Sequence, residues 1–294
     1  MTIRAAKMAQ ELRQVFAKRR LFLLARVVFI MCVLGNLNFQ LSRAICRVVL
    51  SDAQFLAHAV VFGNCIRACL DACLIGVIFR RSLFNQLKWR GSQILFASLL
   101  ALSIVGVQIV ATLQFPASIS SFHLAAIQYF YILAFSLSAA VSEELLCRFV
   151  LLGEGAKIGG PIVALLFQTF LFTYIHIASI SSGATSLSLI AAGGMLIGSV
   201  YLLTNSLLCV IVLHFAYDIF IIIVFGGILD GMQVFPMLVG DNFGRHASIN
   251  AAVIFQSTLG ALIVLTHFLL QRSRSTRLAA RWCQAAAKTK VSSS

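Results

Sequence analysis

The chain has 294 residues, of which 60% are hydrophobic and 11% charged, with a mean hydropathy of +0.97 and only three prolines. A soluble domain of this size would carry about twice that share of charge, so a water-soluble globular fold is excluded. The net charge of +14 does not mark a nucleic-acid binder, because the basic residues collect at the two ends and in one loop, the pattern of cytoplasmic membrane flanks.

Residues 1–20 hold Arg4, Lys7, Arg13, Lys18, Arg19 and Arg20 against one acid, Glu11. They read as a basic amphipathic segment lying on the membrane face. Apolar runs long enough to cross a bilayer follow one another from there. The predicted spans cover about 21–39, 55–79, 93–113, 123–152, 161–177, 187–203, 207–229 and 251–270, which makes an all-α, polytopic bundle of about eight helices. Arg67 and Asp71, four apart in the second span, are expected to neutralise each other on one helix face. The loop after it carries Arg80, Arg81, Lys88 and Arg90, and the C-terminal tail Arg272, Arg274, Arg277, Arg281, Lys288 and Lys290. Glu154 and Asp230 read as solvated loop residues. An even number of spans puts both termini on one side, and the placement of the basic residues makes that side cytoplasmic. The eight cysteines include no CxxC pair. Cys65, Cys69 and Cys73 repeat every fourth residue and read as small packing residues on one helix face.

The fourth predicted span ends in Val141-Ser142-Glu143-Glu144-Leu145-Leu146-Cys147-Arg148. The chain has nine acidic residues, and two stand side by side here in hydrocarbon-like sequence. Ionisable groups at membrane depth are costly and mark functional sites by default. Glu144 and Arg148 share a helix face in the favourable order, carboxylate first. Glu143 points about 100° away, which leaves it free for chemistry. Two further spans carry polar groups, Phe172-Thr-Tyr-Ile-His176 and His214-Phe-Ala-Tyr-Asp218. Counted from the cytoplasmic helix ends, Glu143, His176 and His214 lie about 15, 20 and 12 Å deep at 1.5 Å per residue, close enough to share one layer. A carboxylate beside an imidazole can take a proton from water and make a nucleophile. A second histidine with Asp218 can face a developing oxyanion. Glu143, His176, His214 and Asp218 are equally zinc-type ligands, and a divalent metal would activate the water instead. No HExxH motif is present. The residue types leave the two chemistries open. His123 and His267 read as interfacial or hydrogen-bonded residues.

These three motifs, in this order and each on its own span, resemble the CAAX-protease and bacteriocin-processing family, also called the abortive-infection family of membrane proteases. Its pattern is Glu-Glu-x-x-x-Arg, then Phe-x-x-x-His, then His-x-x-x-Asn/Asp. Gly198 and the turn Thr204-Asn205-Ser206 also look like the family's approach to the last motif. The resemblance implies an intramembrane endopeptidase related to the type II CAAX prenyl endopeptidase. Its substrate would be a peptide bond of a membrane-embedded or lipid-anchored protein. Carried over by position, Glu143 and His176 would activate water, His214 and Asp218 would form the oxyanion side, and Glu144 and Arg148 would support the site. Asp218 departs from the Asn of the prenyl endopeptidases, and an ionised carboxylate cannot donate to an oxyanion. That leaves it as a protonated donor, an orienter of His214 or a metal ligand.

The expected layout is a basic segment over 1–20, N-terminal spans over 21–122, a peptidase core over 123–229, and a last span with its basic cytoplasmic tail over 230–294. The expected setting is the cytoplasmic membrane, with the bilayer and a membrane-bound substrate as partners and no nucleic acid. Two other functions fit the same residues: a non-catalytic immunity or interaction protein on this scaffold, and a small transporter relaying protons through its buried acids and histidines. No inverted repeat of the transporter kind is visible.

Overall fold

A computed structural model describes residues 56–119, 126–177, 186–225 and 242–291, three short strands between 227 and 240, and single positions between 25 and 44. The predicted amphipathic segment, His123 and Asp230 lie outside these residues, and the first span is described at single positions only. The elements in order are α1 (Leu56–Gln86), α2 (Gly91–Thr112), β1 (Ala117–Ile119), α3 (Ala126–Glu144), a π-helix (Leu145–Glu154), α4 (Ala156–Gly159), α5 (Pro161–Ile175), α6 (Leu187–Thr204), α7 (Leu207–Phe225), β2 (Gly227–Leu229), β3 (Met232–Val234), β4 (Leu238–Gly240) and α8 (Asn242–Val291).

The protein is a multi-pass membrane bundle. Among the described residues, six stretches of helix are long and apolar enough to cross a bilayer: Val61–Arg80, Gly91–Thr112, Gln128–Gly159, Leu187–Thr204, Leu207–Phe225 and Arg245–Ser273. α5 is apolar but spans only 15 residues. Apolar side chains cover the outside of the bundle as well as its core. Val77 is 82% exposed and Phe170 64%, a surface that water would reject and lipid accepts.

Helix boundaries follow local chemistry. Gly160 takes a left-handed φ of 88° ahead of Pro161, which starts α5 at its first turn. Ser186 caps α6 by accepting the Leu189 N–H at 3.2 Å. Asn205 ends α6 with φ 48°, and the Ser206 Oγ accepts the Cys209 N–H to open α7. α7 stops at Phe225 rather than at 229, ahead of the consecutive glycines 226 and 227, and 227–229 form a strand. β2 pairs antiparallel with β3, and β1 with β4 (Ala117 opposite Gly240), which ties the connection after α2 to the one before α8. α8 runs on without a break through the basic tail to Val291.

α8 packs along α6 and α2, α7 lies against α2 and α3, α1 lies against α3, and α5 lies against α6 and the π-helix. The π-helix is the centre of the core. Nine of its ten residues are buried, among them Phe149, Val150 and Leu152. Asp71 is 1% exposed and pairs with Arg67 at 3.7 Å. Three sequence expectations need correction. Glu154 is buried and pairs with Lys157, not solvated. Cys69 and Cys73 are exposed on α1 rather than packed. The predicted fourth span changes from α to π at Leu145.

Candidate active site

The α-to-π change falls directly after the acidic pair. α3 ends at Glu144, and Arg148 follows within the π-helix. Segments of i→i+5 bonding are rare and often sit at functional sites. Glu144 and Arg148 pair at 3.0 Å with neither side chain exposed at all. Such a pair is stable only when further polar contacts surround it. Arg148 Nη2 donates to the Gly194 carbonyl at 3.5 Å, and its guanidinium lies 4.6 Å over the Phe172 ring, a cation–π contact.

Glu144 holds more than the arginine. Its Oε1 also accepts the His214 Nδ1–H at 2.7 Å. That bond sets the His214 tautomer and turns Nε2 toward the rest of the site. His176 is fixed in a similar way from its own helix. It caps the C-terminus of α5, and its Nδ1–H donates to the Phe172 carbonyl at 2.7 Å. A carbonyl can only accept, so the proton is on Nδ1 and the Nε2 of His176 offers a lone pair.

Both Nε2 atoms face Glu143. Its Oε1 is 3.7 Å from His176 Nε2 and its Oε2 3.8 Å from His214 Nε2. Asp218 completes the group, with Oδ2 at 3.6 Å from His214 Nε2. The six residues singled out in the sequence thus stand together in two tiers. Glu144 and Arg148 are sealed and His214 is 9% exposed, whereas Glu143, His176 and Asp218 are 21–25% exposed. Three carboxyl groups face one guanidinium and two imidazoles, which gathers opposite charges where an unpaired one would be costly. Among the described residues, no three His, Cys, Asp or Glu side chains form a group set to hold a metal ion.

Two contributors stand outside the six site residues. Phe172 is within 4.7 Å of the His176 ring and 6.3 Å of the His214 ring, as well as under Arg148. It therefore packs the sealed tier against the open one. Gly194, with Gly198, opens α6 to α5. A Cβ at 194 would stand 3.0 Å from Phe172 Cδ1, and one at 198 would stand 2.6 Å from Leu165 Cδ1. This is the small-xxx-small spacing of close membrane-helix contacts.

Residues 124–220 match the family model described as type II CAAX prenyl endopeptidase Rce1-like. Searches of curated proteins and of solved structures found no match. The matched residues hold all six site residues and leave out α1, α2 and α8.

Proposed function

We propose that this chain, whose residues 124–220 match the type II CAAX prenyl endopeptidase Rce1-like family model, hydrolyses a peptide bond of a membrane-embedded or lipid-anchored, CAAX-like protein. The observation that carries the proposal is the placement of Glu143 between two imidazole nitrogens, at 3.7 and 3.8 Å. Those separations exceed a direct hydrogen bond, which leaves the carboxylate and both imidazoles able to bind a common water at their open side.

A water between Glu143 Oε1 and His176 Nε2 would donate one proton to each and point its lone pairs at a carbonyl carbon. Glu143 takes one proton as the oxygen attacks, and returns it to the leaving amine as the C–N bond breaks. The carbonyl oxygen gains charge in the transition state. A protonated His214 Nε2–H is placed to meet that charge, and the Glu144 carboxylate behind Nδ1 stabilises its imidazolium. Asp218, with Oδ2 3.6 Å from His214 Nε2, steadies the imidazole on its oxyanion side. The orienting bond at Nδ1 belongs to Glu144. We place the protein in a cytoplasmic membrane with both termini on the cytoplasmic side, in keeping with Arg80, Lys88, Arg90 and the basic tail.

The test is proteolysis in defined liposomes. Wild type and Glu143→Ala are given lipidated and apolar peptides, with and without a chelator, and product masses are read. Wild type should cleave in both conditions and Glu143→Ala in neither. Cleavage by Glu143→Ala at the wild-type rate ends the proposal.

A further inference from the structure

One buried side chain beside the site takes no part in this chemistry. Gln168 lies on α5, two turns before His176, and is 0% exposed. Its Nε2 donates to Thr169 Oγ1 at 2.8 Å and to the Gly194 carbonyl at 3.1 Å, which uses both amide hydrogens. A flipped amide would set two oxygens against each other, so the orientation follows from the contacts. The Gly194 carbonyl is the oxygen that also receives Arg148 Nη2, at 3.5 Å.

α6 is shaped to allow this meeting. A Cβ on Gly198 would stand 2.7 Å from Gln168 Nε2, and one on Gly194 would press on Phe172. The two glycines leave a helix carbonyl open from the side, where an amide and a guanidinium can both reach it. The contacts then run in series: Gln168 to the Gly194 oxygen, that oxygen to Arg148, Arg148 to Glu144 at 3.0 Å, and Glu144 to His214 at 2.7 Å. Removing the first contact leaves the Gly194 oxygen to Arg148 Nη2 alone, so the carbonyl that holds the guanidinium is itself less fixed. Arg148 Nε has no hydrogen-bond partner among the described residues, so beside Glu144 on Nη1 and the Phe172 ring beneath it, the Gly194 oxygen is what holds the far side of the guanidinium.

We propose that Gln168 is a positioning residue: through the Gly194 carbonyl it sets the Arg148 guanidinium, and through Arg148 and Glu144 it sets the His214 ring. The kinetic part rests on the hydrolytic reading above; the geometric part does not. The experiment uses the full chain with isotope-labelled histidine in detergent micelles, and the His214 ring signals are assigned by their loss in His214→Gln. Gln168→Met keeps the length of the side chain and removes its donors. Gly198→Ala leaves Gln168 in place and crowds its Nε2. Both variants should shift the His214 signals, and Gln168→Met in the Gly198→Ala background should add nothing to the shift. In the peptidase assay both should lower kcat by about 10- to 100-fold, the cost of misplacing a reacting group, with KM within about twofold. If Gln168→Met does not fold, Gly198→Ala decides. His214 signals and kcat that stay at wild-type values overturn the proposal, whatever the melting temperatures do. If wild type cleaves no peptide, the hydrolytic reading fails, and the ring signals still decide the role of Gln168.

Discussion

Replacing Arg148 by Met strips the cation from a carboxylate that has no access to water. Glu144 and Arg148 are both 0% exposed and 3.0 Å apart. The methionine fills most of the volume but leaves Glu144 with the His214 Nδ1–H as its only described polar partner. Breaking a buried pair from one side costs about 3–5 kcal/mol, because an uncompensated charge remains. For a chain of this size that is roughly 6–15 °C in melting temperature. The double variant Glu144→Gln with Arg148→Met removes both charges, and its amide oxygen can still accept from His214. It should lose only about 1–2 kcal/mol for the missing polar contacts and so melt above the single variant. Calorimetry of the three proteins in one detergent, at one concentration, measures the difference. A loss below about 1 kcal/mol for Arg148→Met, or a double variant no more stable than the single, would refute the view that a sealed ion pair holds this site.

Other outcomes follow from the same geometry. Glu143→Gln should lower peptide cleavage by about 10²- to 10⁴-fold and leave the calorimetric melting point nearly unchanged, since Glu143 is in the open tier at 21% exposure. Phe172→Leu should destabilise by about 2 kcal/mol or more through loss of the face beneath Arg148, whereas Phe170→Leu, at 64% exposure, should fall within about 0.5 kcal/mol of wild type by the same measurement. Gly153→Ala should cost about 1–3 kcal/mol, because its Cβ would stand 2.6 Å from the Tyr201 hydroxyl that donates to Gln86. Adding Tyr201→Phe should then recover part of the loss in thermal unfolding.

The residues of the site were legible because each motif is local. Glu144 with Arg148, Phe172 with His176 and His214 with Asp218 are all four apart, and the helix period alone puts each pair on one face. The spans were legible from run length. What stayed hidden depends on contacts between helices. The bond from Glu144 to His214 joins residues 70 apart, and no spacing rule predicts it. Gln168 looked like an ordinary polar residue in an apolar run, since its role appears only once α6 supplies a bare carbonyl. The end of α7 at Phe225 was written in the two glycines that follow, but the apolar residues beyond them carried the predicted span on to 229. The burial of Glu154 had no local sign at all, because flanking glycines made its segment look like a loop.

The π-helix after Glu144 acts as a phase shift in the chain. Ten residues wound with a wider period leave every later side chain rotated relative to where a plain α-helix would put it. A helix with i→i+5 bonds holds more residues than an α-helix of the same rise. Deleting a single residue between 149 and 152 would let the segment relax to α geometry. It would turn Glu154 and all that follows by about 100°, while the acidic pair and Arg148 kept their sequence spacing. The motif would read the same on paper, yet α5 would leave the bundle in a different direction and carry His176 away from Glu143. The offset is therefore a constraint on length: in this stretch a neutral-looking deletion is more damaging than most substitutions.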